Sequence, residues 1–583
     1  MRILLPLAAL ILLFRPAAAA DPAPVSASRG MVVTAQRLAS EVGAQVLRDG
    51  GNAVDAAVAV GYALAVTYPA AGNLGGGGFM TLRLADGRTA FLDFRERAPL
   101  AATPGMFLDE SGNVAPRRSL DTWLAAGVPG SAAGLELART RYGTLPRAAL
   151  MAPAIRLAAE GFVLTSGDMS VIGTATGSLS KDPAAAAIFL HDGQAMRPGD
   201  RLVQPDLARS LQAISDAGPD ALYRGPIGAA IVAASQAGGG IIEQRDLEAY
   251  RVRELHPVEC DYRGYHIISA PPPSSGGVIL CEILGILGGY DLRAMGWHSA
   301  AEVHLMVEAM RYAYYDRNNR LGDPDFVENP LAQLLDPAYH AAIRAKINPD
   351  RATPSSSLVA AAPAKEGTNT THYSVVDAAG NAAAVTYTLN DWFGVRKVAP
   401  GTGIVMNNEM DDFTAKPGVP NMFGLVQGEA NAVAPGKTPL SSMSPTIVTR
   451  GGKLAMVIGS PGGARIITIV LNAVINAVDH DMTVQEAVDA PRIHHQWLPD
   501  TLYAERFALS PDTRALLEAK GHKITEGKPW GVAEGVIAGG PALTQAAEAS
   551  GASSLTLGTM PGGGALFGAH DVRGGAGAAS GAD

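Results

Sequence analysis

Residues 367–390 read GTNTTHYSVVDAAGNAAAVTYTLN, two strand-forming runs either side of the turn Asp377-Ala378-Ala379-Gly380-Asn381. β-Branched and aromatic residues in the arms, with Gly and Asn at the bend, predict a β-hairpin. Antiparallel pairing without a bulge is symmetric about Ala379. Thr370 then stands opposite Thr388, and Asn390, two residues further along, projects from the same face. Threonines are also ordinary strand residues. A threonine whose α-amino group is freed by cutting the bond before it, however, carries its own base, and Thr370 is a candidate for that chemistry.

The chain around this hairpin has 583 residues, 47% hydrophobic and 17% charged, where about a quarter charged is usual. It is long enough for a large core, and length alone suggests several domains. The net charge is −9 with basic residues scattered along the sequence, so no basic stripe points to nucleic acid, and small-molecule chemistry is the expectation. The opening carries Arg2, an apolar run from Ile3 to Phe14 and Ala18-Ala19-Ala20 before Asp21. This predicts a cleavable signal peptide over 1–20 and an exported, periplasmic or secreted protein. The run is shorter than the roughly 20 residues of a membrane span, although Arg15 leaves an uncleaved anchor as the alternative. Two cysteines, Cys260 and Cys281, are too few for a disulfide framework, and Cys281 within VILCEILGIL reads as a small buried apolar residue. His494 and His495 are adjacent, not spaced for ligation, so no metal and no other cofactor is expected.

Going along the chain, Leu38, Val42 and Val46 recur at helical spacing before Gly50-Gly51, predicting an amphipathic helix. The apolar stretch 53–68, holding Asp55 and stopping at Pro69, predicts a buried core helix. Gly72 to Gly78 lacks the G-x-G-x-x-G order and precedes a strand-like run, and Gly436-Lys437-Thr438 lacks the first glycine of a phosphate loop, where Asn431 stands. Neither predicts nucleotide binding. Ser299 to Glu302 is a capping box opening a helix that ends at LGDPDF. Pro271 to Gly277 is an irregular loop with no residue-level role. Residues 352–364, with prolines and Ser355-Ser356-Ser357, form a linker leading to Asn369-Thr370, where an exposed bond could be cut.

The words TTHYSVVD, TYTLN, MNNEMDDF, PLSSMSPTIV and GSPGGARIIT, preceded by GGNAVDAAVA, NLGGGGFM, DFRERAP, PPPSSGG and LGDPDF, resemble the motifs of the γ-glutamyltransferases, self-cleaving N-terminal-nucleophile hydrolases. The resemblance runs from about Gly30 to about Gly527. It implies an α+β fold, the four-layer αββα sandwich, in which a large subunit (21–369) and a small catalytic subunit (370–583), cut at Asn369-Thr370, form one structural domain as a heterodimer. It implies γ-glutamyl transfer from glutathione, glutamine or related amides to water or to the amine of an amino acid or dipeptide.

The resemblance also assigns roles. Thr370 is the nucleophile and its amine the base; Thr388 orients it; Gly462 and Gly463 form the oxyanion hole. Arg95, Ser441 and Ser442 hold the α-carboxylate, and Asn390, Glu409 and Asp412 hold the α-ammonium. Without it, Arg95 would be a surface residue at a strand end, Gly462-Gly463 a tight turn, Ser441-Ser442 a turn cap and Asp411-Asp412 a solvated acidic loop. Two departures stand out. The segment 391–397 is larger and more charged than in many relatives, and Phe423 occupies a lid position that often carries tyrosine. A cephalosporin or glutaryl acylase of the same fold, and an exported binding protein without turnover, are the rival readings. Residues 542–564 look like an insertion, and the small-residue tail 570–583 is expected to be disordered.

Overall fold

The computed structural model describes residues 22–358, 369–544 and 565–583. The expected signal peptide, the second half of the expected linker and most of the segment 542–564 lie outside the described residues. Two seven-stranded antiparallel sheets stack face to face. In the first the order is Ala578–Ala582, Gly30–Thr34, Thr371–Asp377, Ala382–Thr388, Gly77–Arg83, Thr89–Asp93 and Arg253–Leu255. In the second it is Val25–Ala27, Leu566–His570, Glu534–Ala538, Lys453–Gly459, Thr446–Arg450, Tyr265–Ser269 and Val258–Tyr262. Segments on both sides of Thr370 supply strands to both sheets.

Period-two alternation sorts the hairpin's side chains into two cores. Val376, Ala382 and Ala384 meet Ile268, Ile447, Val457 and Val536 of the second sheet. Tyr373, Val375, Val385 and Tyr387 face outward onto the helices Arg37–Arg48 and Ala53–Thr67. The second sheet is covered by Gly276–Leu287, Ala300–Arg320 and Ile466–Val478. The result is the expected four-layer α+β sandwich, with Thr370 on the inter-sheet face at the mouth of the hairpin.

The helix Ala53–Thr67 is buried along its whole length, which is why it is apolar all round. Asp55 survives there because it closes a capping box with Asn52 and accepts hydrogen bonds from Thr144 and Leu145. No helix among the described residues is long and apolar enough to cross a membrane. At Ser299 only half the expected box forms. Its hydroxyl accepts from Glu302 N, while the Glu302 carboxylate accepts from His298 N and pairs with His480.

Two expectations are corrected. Cys260, on the edge strand Val258–Tyr262, is disulfide-bonded to Cys281 on the helix that packs over it, with Cα atoms 5.9 Å apart. A strand and a covering helix bring together cysteines whose spacing carries no signal. The tail is ordered. Ala578–Ala582 pairs with Gly30–Thr34 along its full length, because a sheet edge offers backbone hydrogen bonds that need no side chain. Smallness is itself required there: a Cβ on Gly581 would lie 2.5 Å from Ala27 Cβ.

Candidate active site

The hairpin pairs in the predicted register, with Thr371 opposite Tyr387 and His372 opposite Thr386. This brings Thr388 Oγ1 within 3.4 Å of Thr370 Oγ1 and 3.2 Å of the Asn369 carbonyl oxygen, to which Thr370 Oγ1 also donates at 2.6 Å. Both hydroxyls thus address the carbonyl of the bond before Thr370. Asn390 N donates to Thr388 Oγ1 at 2.9 Å. Asn390 adopts φ 75, a left-handed conformation that asparagine tolerates better than most residues. The turn directs its amide back over the hairpin to donate to Asn408 O at 3.0 Å.

Among the described residues, no histidine lines the cavity beside Thr370. His372, one alternation along from Thr370, is locked between Thr386 and Ser374, and burial pushes its pKa down to about 3. It is a neutral core residue.

Arg95 follows the strand Thr89–Asp93 and is 1% exposed, so it is no surface arginine. Its guanidinium lies 2.5 Å from Glu409 Oε1, off the direct hydrogen-bonding line, and is hydrogen-bonded to Asp412. Burial opposes its charge, but the two carboxylates more than offset this and raise its pKa. Glu409 and Asp412 are raised chiefly by their burial, against the pull of Arg95. Glu96 beside them is pushed up to about 7, again chiefly by burial. Asp411 and Asp412 are buried, not a solvated loop. Asp411 accepts from Ser119 Oγ and Met422 N, and burial lifts its pKa to about 7.

Ser441 and Ser442 are held by the Pro271–Gly277 loop, for which the sequence suggested no role. Ser441 N donates to Pro273 O, and both the amide and hydroxyl of Ser275 donate to Ser441 O at 2.9 and 2.6 Å. Gly276 is glycine because a Cβ there would lie 2.1 Å from Met443 O. Opposite, Gly462 and Gly463 adopt φ 151 and φ 56 in the loop before the helix Ile466–Val478, whose positive dipole end faces the site. Gly463 lines the wall shared with Thr370, and Gly462 sits behind it against Ile469.

Together Arg95, Thr370, Thr388, Asn390, Glu409, Asp412, Phe423, Ser441, Ser442 and Gly463 line one cavity of about 20 Å³. Of the sequence-predicted site residues, Gly462 and the cleavage-site residue Asn369 are not in the wall itself. Phe423, the expected lid residue, lines the cavity and carries no hydroxyl. In the segment 391–397, Asp391 accepts from the Asn369 side chain and pairs with Arg396, which also reaches Asp121 at 2.9 Å. Sequence reasoning missed Arg317, which donates to Ser442 Oγ at 2.8 Å. Outside the cavity, His304, Glu308 and His522 form the one potential metal-ligand group among the described residues. His304 and His522 spend their facing nitrogens on each other at 2.8 Å, and Glu308 pairs with Arg311.

The sequence profile described as gamma-glutamyltranspeptidase matches residues 39–555. A glutathione hydrolase proenzyme of Pseudomonas sp. (strain A14) is 59% identical over 526 residues, 90% of this chain and 92% of that protein. The acylase ACY 1 proenzyme of Pseudomonas sp. (strain V22) is 42% identical over 507 residues, 86% of this chain and 88% of that protein. Among solved structures, the cephalosporin acylase from Bacillus halodurans superposes with a TM-score of 0.81 at 26% identity, covering 98% of this chain and 100% of the other. The αββα sandwich with a threonine at the mouth of its central hairpin is that of the N-terminal-nucleophile hydrolases. Within that class the chain belongs to the γ-glutamyltranspeptidase family and is an enzyme of that kind.

Proposed function

We propose that the chain is an exported precursor that cuts itself at Asn369-Thr370 and then transfers the γ-glutamyl group of glutathione, glutamine or related amides to water or to an amino acid or dipeptide. In the cutting step Thr370 Oγ1 attacks the Asn369 carbonyl carbon and the Asn369–Thr370 C–N bond breaks, giving an ester and a free amine. Thr388 Oγ1, 3.2 Å from the Asn369 oxygen, supports the negative charge that develops there. Water then hydrolyses the ester and leaves two subunits, 21–369 and 370–583, in one domain.

In the mature enzyme the Thr370 amine accepts the hydroxyl proton as the oxygen attacks the γ-glutamyl carbonyl. Thr388 orients that oxygen, and the N–H groups of Gly462 and Gly463 receive the oxyanion. The amine leaves protonated, and the γ-glutamyl ester on Thr370 passes to water or to an acceptor amine. Arg95 with Ser441 and Ser442 holds the α-carboxylate; Asn390, Glu409 and Asp412 hold the α-ammonium. A cavity of about 20 Å³ is the size of a water site, so productive binding requires the Asn369 side to depart and the Phe423 lid to open. The Cys260–Cys281 disulfide supports export to an oxidising compartment.

The observation that carries this reading is the meeting of Thr370 with Arg95, Glu409 and Asp412 in one wall. Thr370→Ala is expected to accumulate as one uncut, inactive chain; a variant that still splits after residue 369 contradicts the assignment. The acylase likeness supports a second reading, action on a glutaryl side chain, but the buried Glu409 and Asp412 favour a substrate carrying an ammonium. Comparing release from γ-glutamyl and glutaryl anilides separates the two.

A further inference from the structure

The helix Ala300–Arg320 turns one face to the cavity at two points three residues apart. Tyr314 donates its hydroxyl to Ala464 O at 2.5 Å, behind the Gly462-Gly463 loop. Arg317 reaches the opposite wall, donating from Nη2 to Ser442 Oγ at 2.8 Å and from Nη1 to Asn318 Oδ1 at 2.9 Å and Gln427 Oε1 at 3.3 Å. Its side chain is fully buried, and its Nε has no acceptor among the described residues.

The two arginines of the cavity differ in how their charge is met. Arg95 sits between Glu409 and Asp412. Arg317 touches only a hydroxyl and two amide oxygens, with no carboxylate at ion-pair distance among the described residues. Burial accordingly drags its pKa down to about 10. Asp412 supports this charge only from a distance, without touching it, and a fully buried cation with no carboxylate in contact is costly to keep; simple packing would be met by an apolar residue. A γ-glutamyl group supplies the missing anion, its α-carboxylate.

We infer that Arg317 is a positioning residue of the α-carboxylate subsite, acting through Ser442 and making substrate binding depend on that carboxylate. A serine hydroxyl has one proton and two acceptor sites. With an Arg317 N–H filling an acceptor site, the Ser442 proton is left to donate into the cavity. The guanidinium behind it adds positive potential where the carboxylate arrives, while Arg95 is already shared with Glu409 and Asp412. The inference rests on the γ-glutamyl reading of the site.

The test is a double-mutant cycle of Arg317→Gln and Ser442→Ala, measured as kcat and KM for a γ-glutamyl anilide with self-cutting followed on gels. Losing a charge-assisted contact predicts a KM raised about 10- to 100-fold in Arg317→Gln, with kcat changed far less. Adding Ser442→Ala is expected to cost little more, because both changes break one unit. Arg317→Lys, which keeps the charge but not the fork, is expected to fall between wild type and Arg317→Gln. It carries the test alone if the glutamine variant does not fold. Additive losses, a fall in kcat at unchanged KM, or a lysine variant equal to wild type would overturn the role of Arg317. Wild-type protein that releases no γ-glutamyl anilide would instead overturn the functional reading beneath it.

Discussion

Arg95 shows how much of the site is decided by single side chains. A planar guanidinium meeting two carboxylates in the interior has a geometry that a lysine cannot copy. Arg95→Lys is therefore expected to cost about 2–4 kcal/mol in kcat/KM, roughly 30- to 1,000-fold, measured by steady-state kinetics on a γ-glutamyl anilide. The acids around it set a pH dependence. Burial raises Glu96 to about 7 and pushes Glu409 well above the usual carboxylate range, and the cluster attracts an ammonium most fully once it has lost its protons. The Thr370 amine, near 7.7–8.0 in an unperturbed chain end, must also be neutral to act as base. Thus kcat/KM is expected to rise with pH through about 7 to 8; a profile flat from about pH 5 to 8 would contradict both assignments. Thr370 and Thr388 were legible because hairpin register is simple arithmetic. Arg317 was not, since an arginine near a helix end reads as a capping or solvent-facing residue until the fold shows what surrounds it.

At the scale of elements, the tail is the instructive case. Glycine and alanine carry no hydrophobic pattern, so 570–583 reads as disorder from composition, yet the strand Ala578–Ala582 completes the sheet edge through its backbone. Its approach is pinned by His570, which stands opposite Glu534 across two strands and donates or accepts at 2.9 Å, with its other nitrogen 2.7 Å from Gly574 O. Burial works against the His570 charge, but Glu534 outweighs it and raises the imidazole to about 9, while burial raises Glu534 to about 7. Both folded pKa values lie above their unfolded ones. The folded state therefore holds more protons, and the pair's contribution, full below about pH 6.5 for His570, is lost as pH rises through about 9. The Tm is expected to fall over this range by an amount that His570→Ala reduces, with an upper bound of roughly 3 kcal/mol in stability. An unchanged pH dependence in the variant would show that the pair does not pin the tail. The helix Arg37–Arg48 and the central hairpin, by contrast, were legible, the first from its apolar face at helical spacing and the second from its strand-forming arms and turn residues.

Across the whole molecule, the two subunits expected from cutting are interleaved in both sheets, so neither can form a core alone and the cut pieces are expected to stay together. The disulfide adds a tie on the outside of the second sheet, between residues 21 apart in sequence. Closing a loop of that length is worth about 3 kcal/mol in the chain-entropy account. Cys260→Ala/Cys281→Ala protein is expected to unfold at lower denaturant concentration while still cutting itself, as read by chemical denaturation and gels. Equal midpoints would show the tie to be idle. Long-range closeness of this kind, like the meeting of Arg95 with Glu409, arises from how strands and helices stack, and no spacing in the sequence encodes it.

The central claim is that residue 370 becomes a chain end and then carries the transferred group. Mass spectrometry of the protein, acid-quenched during turnover of a γ-glutamyl anilide and digested, tests it directly. The account predicts a peptide beginning at Thr370, part of it heavier by one γ-glutamyl group attached to that residue. A single uncut chain, a new N-terminus elsewhere, or the adduct on another side chain would contradict it.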